Sequence, residues 1–529
     1  MIRSRTPTIA TTDPPVTYVE QELRRRRRWL LVPLVIALLL LLLGLVVALA
    51  GLIAGKRLLR NSTTYYPNII DHFERGSIGA DEGSGMPYWV WQALPRLFPA
   101  EFDGRLDYRA FGFLYRTNRN GAQEDLPIGI SKRDYQGVDL VWFNCAVCHT
   151  GTYRTSEGAE RVVVPGMPSN NLDLYRFIRF VLDAGADERL KPETLIPAMQ
   201  ESGADFSLIE RKVWQYYVIP RVREGFIERR SRLQAFLAGQ EPWGPGRVDT
   251  FNPYKLVQMR TLLGAVAPYE LHGASDFPSI FYQKPRADKK MELHWDGNNP
   301  SLDERNLSAA LGAGVTPDSV DHKAIHRVAD WLGDLRPLAS PHRPDAGAVA
   351  RGRALYMTTC APCHGYQGED GGYVFEGANL GKVEPIAKIG TDRGRLDSYT
   401  EAFRQRQLAE LFAGTPYQFK YFVKTDGYAN QPLDGLWLRG PYLHNGSVPT
   451  LRDLLAPPAS RPPAFVRGID VLDGKNGGFV SPSCVPGQRS PQGFCYDTRI
   501  PGNGNGGHVY GTTLSPAEKD SLIAYLLTF

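Results

Sequence analysis

The chain has 529 residues, with 61 Lys and Arg against 56 Asp and Glu, a formal net charge of +5 and six cysteines. The positive excess is local: residues 1–28 hold seven Arg against three acids, Lys56, Arg57 and Arg60 add three charges, and subtracting these seven from +5 leaves the rest near −2. That remainder has no basic surface for nucleic acid, and at about 470 residues it exceeds what one core usually serves.

In chain order, residues 1–28 are predicted as a basic cytoplasmic tail and 29–55 as a transmembrane helix. The run from Trp29 to Ala54 carries no charge and exceeds the roughly 20 apolar residues that cross a bilayer as a helix. Arg24 to Arg28 precede it, so the positive-inside rule puts the N-terminus in the cytoplasm and the bulk of the chain beyond the inner membrane. The arginine run is therefore assigned to topology and anionic lipid. A cleaved signal peptide is the alternative, but the run is long for one, and Gly55-Lys56-Arg57 lacks a small-residue cleavage site.

Residues 56–336 are predicted as an N-terminal domain. Its first part, about 61–140, reads as aromatic-rich and irregular, with Met86-Pro-Tyr-Trp-Val-Trp91 as core packing. Then comes Cys145-Ala-Val-Cys148-His149. This is the pattern that holds a c-type haem: two thiols form thioether bonds to the porphyrin, and the adjacent imidazole binds iron. Beyond it, Leu172 to Leu182 and His322 to Leu335 have the periodicity of helices, the second ending at Arg336-Pro337. Pro337 to Pro344 reads as a linker.

Residues 345–529 read as a small cytochrome c domain. Asp345 to Thr359 is predicted as a helix leading into a second motif, Cys360-Ala-Pro-Cys363-His364, with Gly352 and Tyr356 spaced for a close helix crossing. Ser515-Pro516-Ala517-Glu518 opens a terminal helix as a capping box with Pro at the first helical position. One motif alone is also compatible with a zinc site or a thioredoxin-like pair, but zinc would leave both histidines unexplained. Two covalent c-type haems are therefore expected. The two other cysteines, Cys484 and Cys495, are spaced for a loop disulfide or stand as free thiols; a disulfide suits the oxidising side of the membrane.

The order of these features is similar to that of the bacterial di-haem cytochrome c peroxidase superfamily. Gly440-Pro-Tyr-Leu-His444-Asn-Gly-Ser resembles its Pro-Tyr-Phe-His-Asp-Gly-Ser signature, and Trp295-Asp296-Gly297 resembles the segment between its two haems. Tyr88-Trp89-Val90-Trp91, Leu126 to Lys132 and the Gly-rich stretch ending at His508 look closer to the di-haem rubber oxygenase branch. The resemblance spans about residues 140–529. It departs at His294, where the family usually has an aromatic residue, so the substrate does not carry over.

The resulting expectation is a mainly α protein in which a transmembrane helix is followed by two cytochrome c-like haem domains with long irregular loops. His149 and His364 are the expected proximal ligands. The resemblance implies His508 as sixth ligand of the C-terminal haem, His444 at a haem edge or propionate, and Trp295 as the catalytic electron step between the irons. For the N-terminal iron, Met167, His72, His272 and His294 are weaker sixth-ligand candidates, and an open face would bind peroxide or oxygen. The expected function is a periplasmic di-haem oxidoreductase that draws electrons from a redox partner, a cytochrome or a quinol-linked donor. The rivals are a pure electron carrier and an oxygenase acting on an apolar substrate. Calcium, common at the domain interface in the peroxidase family, finds no clean loop motif here.

Overall fold

The computed structural model describes residues 18–118, 120–487 and 493–529. Most of the predicted basic tail, residues 1–17, lies outside them. Helix accounts for 45% of the chain, as the mainly α expectation required. The chain falls into two units: Met1–Asn61 with Tyr135–Gly137, and Ser62–Asp134 with Val138–Phe529.

The first unit is built on one helix, Tyr18–Leu58. It extends beyond the predicted 29–55 at both ends, because the five arginines are good helix formers and continue the apolar run without a break. Its described side chains are exposed from Tyr18 to Leu52. It is long and apolar enough to cross a membrane, a test that a signal sequence near the N-terminus passes as well.

In the second unit, the helices predicted from periodicity form with the caps their flanking residues provide. Leu174–Ala186 starts at Asp173, whose Oδ1 accepts from Arg176 N at 3.0 Å. His322–Asp334 starts in the same way at Asp321, Ala346–Thr359 at Asp345, and Pro516–Leu526 at the Ser515–Glu518 capping box. Each cap satisfies a backbone N–H that the helix itself leaves unpaired.

The segment read as irregular, 61–140, is more ordered than that. It contains the helices Ile69–Arg75 and Tyr88–Leu97, and Met86–Pro87 pairs with Val138–Phe143. Pro87 and Pro95 masked the helix between them, yet Pro87 stands at the N-cap, where its missing N–H costs nothing. Trp91 stacks on Tyr108 at 3.8 Å, and Phe102, Phe111, Phe113 and Phe177 surround them in a core that reaches Val147 and Cys148. The aromatic core therefore backs the first Cys-x-x-Cys-His turn.

The Pro337–Pro344 run lies within the second unit, held by hydrogen bonds from Trp437 Nε1 to Leu338 O and from Ser340 Oγ to Leu527 O. Beyond it, Ala346–Thr359 crosses Pro516–Leu526 so closely that a Cβ on Gly352 would lie 1.9 Å from Ser521 O. Cys484 and Cys495 are disulfide-bonded.

Candidate functional site

Each Cys-x-x-Cys-His sits on a tight helical turn, which brings both thiols to one side and sets the histidine just beyond. At the first turn, Asn144 Oδ1 accepts from Ala146 N, and Asn144 Nδ2 donates to Gly76 O. The second turn follows directly from Ala346–Thr359, with Cys360 as its C-cap. Tyr356 OH, buried in that helix, donates to Gly365 O at 2.8 Å.

The two histidines are held alike. His149 Nδ1 lies 3.0 Å from Pro278 O, and His364 Nδ1 lies 2.8 Å from Gln431 O. A backbone carbonyl can only accept, so Nδ1 carries the proton and Nε2 keeps its lone pair for a metal. Burial pushes the His149 imidazole down to about 4 and lowers that of His364. It raises the thiols of Cys145 and Cys148 to about 11 and about 12, and that of Cys360 to about 12.

Within each motif the two cysteines are unpaired with each other. Among the described residues no three His, Cys, Asp or Glu gather into a metal-ion site, which disfavours the four-Cys zinc reading. Two thiols not bonded to each other, beside an imidazole with a free nitrogen, fit covalently attached haem at each turn.

His508 faces His364, with ring centres 6.3 Å apart. At that spacing the two imidazoles could hold one iron between them when haem is bound. The His508 backbone N–H donates to Ile389 O at 2.8 Å. Its buried Nδ1 has no protein partner, and burial, followed by the neighbouring His364, drives its imidazole down to about 3. It is a neutral ring presented to a second neutral ring.

The other candidates scatter. Met167 is buried in an apolar cluster with Val164, Phe281 and Trp437, a packing role. His72 sits in the Ile69–Arg75 helix with Nε2 at 3.4 Å from Ala324 O, and the His272 carbonyl packs against Gly394 and Gly502. His444 is buried and stacks on Tyr428 at 3.9 Å. Desolvation, then Arg395 and Arg247, hold its imidazole far below the ordinary range.

Trp295 donates from Nε1 to Asp276 O at 2.8 Å and packs against the cluster of Ile386, Leu396 and Tyr428. Its segment lies between the anchors of the two histidines. Asp276 is two residues before Pro278, the acceptor for His149. On the other side, Gln431 Nε2 donates to His294 O at 3.0 Å, and the Gln431 carbonyl is the acceptor for His364. Trp295 and its neighbour His294 thus bridge the two imidazoles through side-chain and backbone bonds. His294 Nδ1 is 2.6 Å from Asn298 Oδ1, and burial pushes its imidazole down to about 4.

Sequence reasoning missed the charge around this bridge. A pocket lined by His294, Trp295 and Pro278 is also lined by Arg286, Arg305, Arg439 and Arg467. Among the described side chains Arg305 hydrogen-bonds to Asn306 Oδ1, and desolvation lowers it to about 10. Arg439 pairs with the buried Asp434 at 2.9 Å and donates to Pro432 O at 2.7 Å. Arg286 and Arg439 share Asp434, and Arg467 pairs with Asp276, so among the described residues Arg305 is the one of the four with no carboxylate beside it, and a guanidinium this dry suits an anion such as a porphyrin propionate. The four arginines come from distant parts of the chain, and individually each resembles an ordinary surface charge.

Residues 427–466 match a family profile described as RoxA-like, cytochrome c-like, a stretch that includes Tyr428, Gln431 and His444. The chain is 33% identical over 261 residues to the uncharacterized protein y4iM of Sinorhizobium fredii, covering 44% of this chain and 56% of y4iM. It is 42% identical over 110 residues to the uncharacterized protein y4iJ of the same organism, covering 19% of this chain and 17% of y4iJ. The chain thus spans about half of one relative and a smaller share of the other. The matched stretch is similar to a RoxA-like cytochrome c domain, which suggests haem binding and electron transfer.

Proposed function

We propose that this chain is a membrane-anchored, periplasmic di-haem oxidoreductase, in which electrons from a redox partner pass between two unlike haem sites and peroxide or oxygen is activated at the N-terminal one. Bound haem supplies one-electron chemistry and, at an iron with a free face, activation of peroxide or oxygen. What carries the reading is the pairing of His364 with His508 at 6.3 Å, set against the single anchored imidazole of His149. A haem held by two protein ligands passes electrons, whereas one held from one side has room for a substrate.

The residues divide the work accordingly. Cys145, Cys148, Cys360 and Cys363 tether, while His149 and His364 ligate from the proximal side, with Nδ1 fixed on a carbonyl so that the rings cannot swing. His508 closes the C-terminal site. Trp295, bonded to Asp276 O and packed beside Tyr428, supplies the aromatic step between the sites. Arg305, desolvated and with no carboxylate beside it among the described residues, would receive propionate charge when haem is bound. His444, stacked on Tyr428, stiffens the wall beside Trp295 rather than ligating. The Tyr18–Leu58 helix tethers the protein, its N-terminal arginines on the cytoplasmic side.

Electron paramagnetic resonance of the purified, haem-loaded chain tests this directly. One six-coordinate low-spin iron and one high-spin iron are expected; two low-spin irons would make the protein an electron carrier. Turnover then separates the remaining chemistries. Peroxide consumption with a reduced cytochrome marks a peroxidase, and oxygen-dependent cleavage of a polyisoprenoid marks an oxygenase.

A further inference from the structure

The helical stretch from Leu208 to Ala238 buries one face and leaves the start of the other bare. Trp214, Val218, Ile219 and Phe226 point into the aromatic core that backs the first motif. On the opposite side Leu208 is 85% exposed, Ile209 78% and Tyr216 69%, with Val213 and Tyr217 beside them. The run begins at a complete capping box, Ser207 with Glu210, so this end is an ordered helix and not a frayed one. Five large apolar side chains on one exposed helical face mark an interaction surface.

The charges around the face identify what it meets. Residues 207–221 carry Arg211, Lys212 and Arg221 against the single acid Glu210, whose carboxylate accepts from Ser207. Lys212 Nζ lies 5.4 Å from the ring of Tyr216, and the Arg221 guanidinium 4.9 Å from the ring of Tyr217. Tyrosines capped by cations beside leucine and isoleucine match the depth profile of a bilayer surface: aliphatic groups below, tyrosines at headgroup level, cations at lipid phosphate. A protein groove would have no comparable need for cations over both exposed tyrosines.

We propose that Leu208, Ile209, Val213, Tyr216 and Tyr217 form a membrane-surface contact that rests on anionic phospholipid, distinct from the Tyr18–Leu58 helix. The contact would lie in the interface plane, with its apolar side chains about 5–10 Å into the headgroup boundary. A tethered oxidoreductase with such a contact would be held at the membrane surface by its catalytic body as well as by its anchor. The proposal rests on the membrane reading above only for the origin of the tether.

The test uses the full, haem-loaded chain, whose native cysteines are engaged in thioethers and the disulfide. It is reconstituted into vesicles of phosphatidylglycerol and phosphatidylethanolamine, with a polarity-sensitive fluorophore at Leu208→Cys or Tyr216→Cys, and at Tyr421→Cys as an exposed control. Labels at 208 and 216 are expected to blue-shift and to be quenched by lipid-borne nitroxide, more by a shallow probe than by one at the acyl end. The 421 label should not respond, and replacing phosphatidylglycerol with phosphatidylcholine should weaken the response. Adding Ile209→Ser with Lys212→Ser should abolish quenching at 216. If the labels at 208 and 216 behave like the control, or are shielded without lipid quenching because a second copy or a protein partner covers them, the proposal is overturned. A label at Leu40→Cys reports on the anchor separately, so failure of the tether is distinguishable from failure of the surface contact.

Discussion

The two Cys-x-x-Cys-His turns share one local design and differ in nearly everything around it. At the C-terminal turn, His364 has a second imidazole across from it at 6.3 Å, and Ala346–Thr359 and Pro516–Leu526 close over the site through a glycine contact. At the N-terminal turn, His149 is anchored in the same way, but it is backed by an aromatic core, and the pocket walled by arginines lies between the acceptors of the two histidines, Pro278 and Gln431. The same Cys-x-x-Cys-His turn is thus set in a clamp at one end and against an aromatic core at the other. Ligation depends on the motif; the use made of the iron depends on what the rest of the chain folds over it.

The severest way to break the clamp is steric. Gly352→Leu would drive a side chain into the Ser521 backbone, where even a Cβ would sit at 1.9 Å, and should cost at least about 3 kcal/mol, the upper end of the overpacking range. Thermal melts followed by haem absorbance should show the C-terminal site failing first. The matching change at the other end is Gly129→Ala. Its φ is +88°, and its Cβ would meet Val147 N at 2.3 Å, so the first site should fail instead. If either variant melted both sites together, the two sites would not be separable in stability.

His508→Ala attacks the asymmetry at its source. The C-terminal iron should pass from low-spin to high-spin, and the spectrum of the N-terminal site should stay as it was. An unchanged low-spin signal would mean that His508 is not the sixth ligand, and His444 would become the next residue to replace.

Acid probes the bridge between the two ends. Burial holds His294 neutral down to about 4 against an ordinary 6.5, so between those values the unfolded chain binds a proton that the folded chain refuses. Stability is complete above pH 6.5 and falls as the pH drops, by about 3 kcal/mol at the bottom of the window. His294→Phe should flatten that part of the stability curve, as read by urea melts at a series of pH values. A slope unaltered by the substitution would place the titration elsewhere.

What was legible in the sequence follows from how far apart the contributing residues lie. The turns around Cys145 and Cys360, the Ser515–Glu518 box and the caps at Asp173, Asp321 and Asp345 are built from neighbours, and their chemistry can be read within a few positions. Tyr88–Leu97 was hidden by its prolines. The acceptors that orient His149 and His364 are backbone carbonyls of Pro278 and Gln431, which have no side-chain signature. Arg286, Arg305, Arg439 and Arg467 converge only in three dimensions. His508 was reachable through resemblance alone, because nothing local marks a histidine in a Gly-rich loop as a partner for one at position 364. The exposed face at Leu208 and Tyr216 has the periodicity of any core helix, and only the fold reveals that this end of it is uncovered.

The finest test concerns the bridge between the two ends. Trp295→Phe keeps a ring of similar placement and gives up only the N–H bond to Asp276 O, whereas Trp295→Leu removes the aromatic step while preserving much of the apolar contact with Ile386, Leu396 and Tyr428. If Trp295 carries the electron, the leucine variant should slow inter-haem transfer by about tenfold, equivalent to about 1.4 kcal/mol of barrier, and the phenylalanine variant by much less. Flash photolysis of the carbon monoxide-bound, half-reduced protein measures the rate without any substrate. Equal slowing in both variants would assign the effect to the lost hydrogen bond and hence to the positioning of the 276–278 segment under His149. No slowing in either would route the electron past Trp295, with Tyr428, stacked on His444, the next aromatic group to replace.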